Sequence, residues 1–290
     1  MSLNSLLNIS KQGILVSQGS LQTVSHNITN VNTAGYSRQV VQQEGVPGNS
    51  QDPGGSGVRV SEISRQIDQL VDRRQQLGTG ELGRLETRDQ YLSMVQEVFN
   101  DLDGSGLSSK LENFYAAADA LTSNATNPVG REDLVTQAHS LAQSIQKMQQ
   151  SLSGIAMPVD KEINATLDDI NTRLKAIRDI NKLIVANENS TPAMDLKDQR
   201  NEMVLELGKL IDIQTLPMDQ DGLKIMTSRG QQTIADSVYA ATLTRSSKVN
   251  SDGYQGILVN GREYGDSDHI RGGKLGGLLE MRDQVINGKN

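Results

Sequence analysis

The stretch "GLSSKLENFYAAADALTSNATNPVGREDLVTQAHSLAQSI", residues 106–145, carries most of the information about the fold. Its first part predicts a helix over about residues 109–123, because apolar side chains recur there at helical spacing, at Leu111, Phe114, Ala118 and Leu121. The polar run that follows predicts a turn, with Asn127 as a cap and Pro128 at the first position of the next helix. Two helices joined by a short turn indicate a mainly α-helical protein.

The helical pattern continues towards the C-terminus as one apolar seam. Its members are Leu134, Ala138, Leu141, Ile145, Met148, Leu152 and Ile155, and then Ile163, Leu167, Ile170, Leu174, Ile177, Asn181 and Ile184. Pro158, between the two groups, leaves two alternatives open, one long kinked helix or two helices in line. Asn181 is expected to fix the register of the seam. Thr191 and Pro192 begin another helix.

Beyond Ile211 the chain changes to short β-prone runs. Turn dipeptides separate these runs, at Asp221-Gly222, Arg229-Gly230, Asp252-Gly253 and Asn260-Gly261. The pattern predicts a small β-rich subdomain. The final residues begin a new amphipathic helix, with Leu275, Leu278, Leu279, Arg282, Val285 and Ile286, and we expect the chain to be truncated inside or just after it.

On the N-terminal side, an apolar pattern from Ile63 to Leu102 predicts a further long helix. Its phase slips around Gly78, Gly80 and Gly83, where we expect a kink or a break. The run "VRVSEI", residues 58–63, alternates as a short strand, and the Gly-, Pro- and Ser-rich residues 43–57 predict a loop.

Residues 1–34 contain a seven-residue repeat typical of a coiled-coil seam. Lys11 is the only charged residue before Arg38, whereas a solvated helix normally carries charged faces and ion pairs. We therefore expect this helix to be weakly ordered alone and to be covered by neighbouring subunits. The alternative is an ordinary amphipathic terminal helix. The aliphatic members of the seam are Leu3, Leu7, Ile14, Leu21, Val24, Ile28 and Val31.

The bulk composition limits the class of protein. The 290 residues carry a net charge of −7, which argues against nucleic acid as the main partner. The sequence has no apolar run long enough for a membrane span. It also has no Cys, which excludes disulfides, thiol catalysis and Cys-ligated zinc. Aromatic residues make up only 3%, which favours long helices over an aromatic-rich globular core.

We therefore predict a mainly α fold with a small β-rich subdomain, in which coiled-coil-like helices form an elongated bundle. The expected parts are an N-terminal helix (1–37), a linker (38–60), a long-helix bundle (61–210), the β-rich subdomain (211–270) and the start of a returning helix (271–290).

No catalytic, cofactor-binding or metal-binding motif is evident. His26, His139 and His269 are scattered over three segments and are interpreted as surface or capping residues. One match remains as an alternative: residues 101–112, "DLDGSGLSSKLE", have the side-chain spacing of a calcium-binding EF-hand loop, with Asp101 first and Glu112 last. Ser108 departs from that pattern, and a Gly-softened turn between two helices explains the stretch better.

Residues 25–39, "SHNITNVNTAGYSRQ", resemble the N-terminal signature of the flagellar axial proteins, the family of rod, hook and hook-associated subunits. Residues 55–71, "GSGVRVSEISRQIDQLV", the block 106–145 and "DLKDQRNEMVLELGKLID" narrow the resemblance to the hook-associated protein 1 family. The signature residues are Asn27, Asn30, Thr33, Gly35 and Tyr36.

This resemblance implies a structural subunit, not an enzyme, at the junction between the hook and the filament of the bacterial flagellum. It implies export through the type III apparatus without a cleavable signal peptide, to an extracellular location. The implied partners are like subunits, the hook protein, the second hook-associated protein and an export chaperone, with no cofactor, nucleic acid or membrane.

The resemblance also implies that residues 1–37 lie in the inner tube, that the aliphatic stripe carries axial packing, and that Asn27, Asn30 and Tyr36 set the geometry where the helix leaves the tube. The alternatives are a flagellar rod or hook subunit and, in a different class, a calcium-binding helical adaptor.

Overall fold

The computed structural model describes residues 3–47, 57–99, 106–187, 191–229, 232–249, 255–266 and 268–286. Over these ranges the chain is mainly α-helical with small antiparallel sheets, which confirms the predicted fold class. The helices are α1 (Leu3–Thr29), α2 (Gln69–Val98), α3 (Leu107–Ser123), α4 (Pro128–Ala186), α5 (Thr191–Leu210) and α6 (Gly273–Glu280), the last followed by a π-helical turn, Met281–Ile286. The strands are β1 (Gln39–Gly45), β2 (Val58–Arg65), β3 (Ile213–Pro217), β4 (Leu223–Thr227), β5 (Thr233–Ala235), β6 (Leu243–Val249), β7 (Gln255–Val259) and β8 (Arg262–Gly265).

The chain divides into two compact units. The first comprises Met1–Thr79, Asn171–Gly208 and Ile213–Thr242. It contains α1, the antiparallel β1–β2 hairpin, α5 and the sheet β3-β4-β5. Its core is aliphatic and includes Leu174, Ile177, Ile184, Val204, Leu207, Ile225 and Ile234. The predicted turn at Asp221 is present, with a φ of 61° at that residue.

The second unit comprises Gly80–Ile170, Lys209–Asp212 and Leu243–Asn290. It contains α3, α6 and the sheet β6-β7-β8, in which Asn260 and Gly261 form the predicted tight turn with φ values of 50° and 77°. Its buried side chains include Tyr91, Val159, Ile163, Leu167, Ile170, Leu243, Ile257, Leu275, Leu278 and Leu279.

The helices predicted in the 106–210 region are present, and the apolar row of α4 is buried from residue 163 to 184, whereas Leu111 of α3 and Ile145 of α4 are exposed. The Asn127 side chain caps α4, since its Oδ1 accepts a hydrogen bond of 3.1 Å from the Val129 N–H. α4 is one helix that continues through Pro158, which decides between the two alternatives. Asn181 is fully buried, and its side chain bonds to Arg200 Nη1 and to the Leu223 carbonyl, both at 2.9 Å. Its role in register stays a prediction.

The expected break in α2 is wrong. The helix begins at Gln69 and continues through all three glycines to Val98. Gly80 and Gly83 are buried, and a Cβ built on Gly83 would lie only 2.3 Å from the carbonyl oxygen of Lys209. The absence of a side chain therefore allows close packing at this point of the helix.

The expectation of a linker over residues 38–60 is also wrong for Gln39–Gly45, which forms a strand. The strand at 58–63 was predicted, but Gln39–Gly45 forms a partner strand that pairs with it from Gln39↔Arg65 to Gly45↔Val58. β1 is rich in Gln and has no clear apolar alternation, so the pairing with β2, which the local pattern does not reveal, provides its hydrogen bonds.

The predicted C-terminal helix is present, but it is more deeply enclosed than an amphipathic helix. Its buried residues include Gly276 and Gly277 as well as Leu275, Leu278 and Leu279. A Cβ on Gly277 would lie 2.8 Å from the carbonyl oxygen of Arg84. The two adjacent glycines thus let α6 approach α2 within the second unit.

Candidate functional site

The aliphatic stripe of α1 and of the turn after it is exposed. All seven predicted members have between 52% and 75% of their surface exposed: Leu3, Leu7, Ile14, Leu21, Val24, Ile28 and Val31. Leu6 and Leu15 are exposed beside them. A contiguous row of exposed aliphatic side chains is typical of an interaction surface.

The opposite side of α1 is covered by the β1–β2 hairpin. The more buried residues of the helix recur two positions after the stripe, at Ser5, Ile9, Gln12, Val16, Gly19, Thr23, His26 and Asn30. Two positions correspond to a rotation of about 200° around a helix. Gln43 Nε2 of β1 donates to Ser20 Oγ at 3.2 Å, and Val60 of β2 lies against Gly19. The hairpin therefore occupies one face of α1, and the stripe points away from it.

This division makes the stripe suited to packing between chains. Burying one Leu or Ile side chain stabilises an assembly by about 1.5–3 kcal/mol. The polar residues around the stripe are uncharged except for Lys11, so covering them avoids most of the cost of desolvating charges.

The signature residues at the end of α1 form one hydrogen-bonded cluster centred on Asn27. Asn27 Nδ2 donates to the Gln39 carbonyl at 2.8 Å, and its Oδ1 accepts from the Gln39 N–H at 2.8 Å and from the Tyr36 hydroxyl at 2.7 Å. Because that hydroxyl donates to Asn27, it accepts from His26 Nδ1, which lies 3.1 Å away. The His26 and Tyr36 rings also meet edge to face. The interpretation of His26 as a plain surface or capping residue is therefore incomplete, because its ring bonds to Tyr36 and packs against it.

The remaining signature residues shape the turn between α1 and β1. Asn30 Nδ2 donates to the His26 carbonyl at 3.0 Å, which caps the end of α1, and Thr33 Oγ1 donates to Asn30 Oδ1 at 3.3 Å. Gly35 has a φ of 75°, a left-handed backbone conformation that favours glycine after a helix end. The structure thus brings Asn27, Asn30, Thr33, Gly35 and Tyr36 together in one turn, and their role in assembly stays a proposal.

Sequence reasoning missed the residues that hold this turn from outside it. Asp198 of α5 accepts from the Ser37 N–H at 3.1 Å and from Arg65 Nη1 at 2.6 Å. Asp195, on the same helix, accepts from Gln39 Nε2 at 3.3 Å. Burial, and after it the charges of Asp195 and Asp198, raise the pKa of the Tyr36 phenol above 10.0. The spacing of Asp195, Asp198 and Glu202 on one helix face was the signal available in the sequence.

Little in the described ranges points to chemistry. His139 is exposed on α4, and His269 Nδ1 lies 3.1 Å from Asp266 Oδ1. Among the described residues, no three His, Asp or Glu side chains are grouped as a metal site would require. The calcium loop cannot be placed, because residues 101–105 lie outside those ranges, while Glu112 is exposed on α3.

None of the helices in the part of the chain that the structure describes combines the length and the apolar character needed to cross a membrane.

Comparison with known protein families gives a direct match. A family model described as the flagellar hook-associated protein FlgK helical domain matches residues 92–289. The flagellar hook-associated protein 1 of Salmonella typhimurium is 27% identical over 299 residues, covering 98% of this chain and 53% of that protein. The protein of the same name from Bacillus subtilis is 26% identical over 238 residues, covering 79% of this chain and 47% of that protein. The chain spans about half the length of the curated relatives it matches.

A solved structure agrees with this fold. The flagellar hook junction protein FlgK from Burkholderia pseudomallei matches with a TM-score of 0.60 at 21% identity, over 76% of this chain and 40% of that chain. At this level of identity the likeness shows a common fold.

Proposed function

The chain belongs to the flagellar hook-associated protein FlgK family, and from this premise we propose that it is a structural subunit of the junction between the hook and the filament. The observation that carries the proposal is the exposed stripe of α1. A row of aliphatic residues that its own unit leaves exposed is suited to burial among subunits in a polymer. The proposed role is assembly rather than catalysis.

In this proposal the stripe forms the axial packing surface, and the cluster around Asn27 fixes the point where α1 leaves the inner tube. Like subunits would cover the stripe, and the hook protein and the second hook-associated protein would contact the assembled zone from its two sides. Export by the type III apparatus, with a chaperone, would place the protein outside the cell. We retain the parts 1–37, 61–210, 211–270 and 271–290 as part of this proposal, without the linker at 38–60, because Gln39–Gly45 forms a strand.

Immunogold electron microscopy of isolated flagella tests the proposal. Antibody raised against residues 61–210 is expected to label one narrow band where the hook meets the filament. A strain that lacks the gene provides the control for antibody specificity. Label spread along the hook or the rod would contradict the junction role and favour the alternative within the axial family.

A further inference from the structure

Helix α5 presents a row of carboxylates to the turn that follows α1. Asp195, Asp198 and Glu202 are spaced by three and four residues, so they lie on one face of the helix. We call this row the acidic face of α5. All of its contacts described below lie within the first unit.

Asp198 is the centre of the acidic face. Its Oδ1 is 2.6 Å from Arg65 Nη1 at the end of β2, and its Oδ2 accepts from the Ser37 N–H at 3.1 Å. The Asp198 and Arg65 side chains are only 9% and 8% exposed. One buried carboxylate therefore holds both the turn after α1 and the strand that packs on α1.

The other two carboxylates contact the same turn on either side. Asp195 Oδ1 accepts from Gln39 Nε2 at 3.3 Å, and its Oδ2 lies 3.9 Å from His26 Nε2. Gly35 packs against Glu202, because a Cβ built on Gly35 would lie 3.2 Å from Glu202 Oε2. The acidic face thus contacts the turn at Gly35, Ser37 and Gln39.

We propose that the acidic face of α5 fixes the direction of α1, and that Asp198 and Arg65 are positioning residues for assembly. α1 and the β1–β2 hairpin pack on each other, and the acidic face holds both at the point where they meet. The aliphatic stripes of neighbouring chains can pack against one another regularly only if α1 is held at the same angle in each chain. This inference rests on the proposed assembly function, but its geometry can be measured without any assembly.

The test is a distance measurement between spin labels on the 290-residue chain. The sequence has no Cys, so Lys11→Cys on α1 and Gln199→Cys on α5, both exposed, provide a unique pair of sites. We expect a narrow distance distribution that becomes at least twofold broader with Asp198→Ala or Arg65→Ala. Glu206→Ala is the matched control, because Glu206 lies on the same helix and pairs with Arg173 instead. An unchanged distribution in Asp198→Ala would overturn the inference.

Two further measurements separate the possible causes of a failure. Asp198→Asn keeps an oxygen for the Ser37 N–H and loses the charge that pairs with Arg65, so it is expected to broaden the distribution less than Asp198→Ala. If Asp198→Ala does not fold, Asp198→Asn is measured in its place. A distance distribution for Asp198→Asn equal to that of the wild type would then overturn the positioning role of the Asp198–Arg65 ion pair.

The same variants are introduced into cells, where Asp198→Ala is expected to reduce the junction band at least tenfold. A normal band despite broadened distances would overturn positioning for assembly. Wild-type protein located away from the junction would instead contradict the proposed function, while the distance result would stand.

Discussion

Asn27 and Gln39 exchange two hydrogen bonds of 2.8 Å, although Gln39 lies twelve positions further along the chain. The side-chain amide of Asn27 thus bonds to both backbone groups of Gln39, the first residue of β1, as a second neighbouring strand would. Because Gln39 is buried at 3% exposure, its backbone groups depend on this pairing.

Replacing Asn27 by Ala should expose the Gln39 amide to exchange. The substitution leaves a buried N–H unpaired, at a cost of about 1–3 kcal/mol, so we expect its hydrogen exchange to accelerate roughly ten- to a hundredfold. NMR-detected exchange measures this directly. Thr29→Ala provides the control, since its hydroxyl bonds to the Ser25 carbonyl in an exposed position. An equal exchange rate of the Gln39 amide in Asn27→Ala and in the wild type would show that Asn27 does not protect this amide.

Replacing Leu21 by Asp should abolish assembly and leave the stability of the isolated chain almost unchanged. Leu21 is 71% exposed, so the new carboxylate stays in water until subunits pack and must then be desolvated. We expect at least a tenfold loss of incorporation into flagella, with a free energy of unfolding within about 0.5 kcal/mol of the wild type.

Gln22→Asp is the matched control for this experiment, because it introduces the same charge one residue away, outside the aliphatic stripe. It should assemble at close to the normal level. Comparable loss of assembly in both variants would indicate a general effect of negative charge on α1 and would remove the argument for the stripe. Incorporation is measured by labelling the hook–filament region, and stability by thermal unfolding.

The periodic helices were predictable because their signal is local. The apolar period of α4 and its Asn127–Pro128 start can be read within a few turns of chain, and the structure contains the helix, its cap and a buried apolar row over residues 163–184. The stripe of α1 and the signature residues could also be identified from sequence. Their contacts could not, because Asp198 lies more than 150 positions after the turn that it binds.

The glycines of α2 show a second limit of sequence reasoning. A glycine inside a helical pattern is compatible with a break or with close approach of another backbone. Which one occurs depends on Lys209, which is distant in sequence from Gly83. β1 was missed for the same reason, since its partner strand determines its conformation.

These glycines give a pair of opposite stability predictions. Gly83→Ala places a Cβ 2.3 Å from the Lys209 carbonyl oxygen, a backbone atom that cannot move aside, and is expected to cost about 1–3 kcal/mol. Gly78→Ala meets nothing within 4 Å in the same helix and should stabilise by about 0.5–1 kcal/mol. Urea unfolding of both variants provides the measurement. Equal shifts of the two midpoints would contradict the close approach.

The last prediction concerns the pH dependence of the second unit. Glu162 accepts from the Tyr91 hydroxyl and from Lys274 Nζ, each at 2.6 Å, and Tyr91 is only 1% exposed. The hydrogen bonds from Lys274 and then from Tyr91 lower the pKa of Glu162 below its ordinary value of 4.5. Between the folded-state pKa of Glu162 and its ordinary value of 4.5, the folded state therefore binds fewer protons than the unfolded state. Over that pH range the free energy of unfolding rises with pH.

The contribution of Glu162 should be fully present above pH 4.5 and lost as the pH falls through the folded-state pKa. Glu162→Gln cannot ionise, so its free energy of unfolding should be lower than that of the wild type at pH 7, with a difference that shrinks in acid. Urea unfolding followed by tyrosine fluorescence between about pH 3 and 7 measures this, since titration spans about one unit on each side of a pKa. Glu86→Gln, on the exposed surface of α2, is the control and should follow the wild-type curve. A constant difference between Glu162→Gln and the wild type across this range would mean that the variant changes packing, and that the ionised carboxylate itself does not stabilise the cluster.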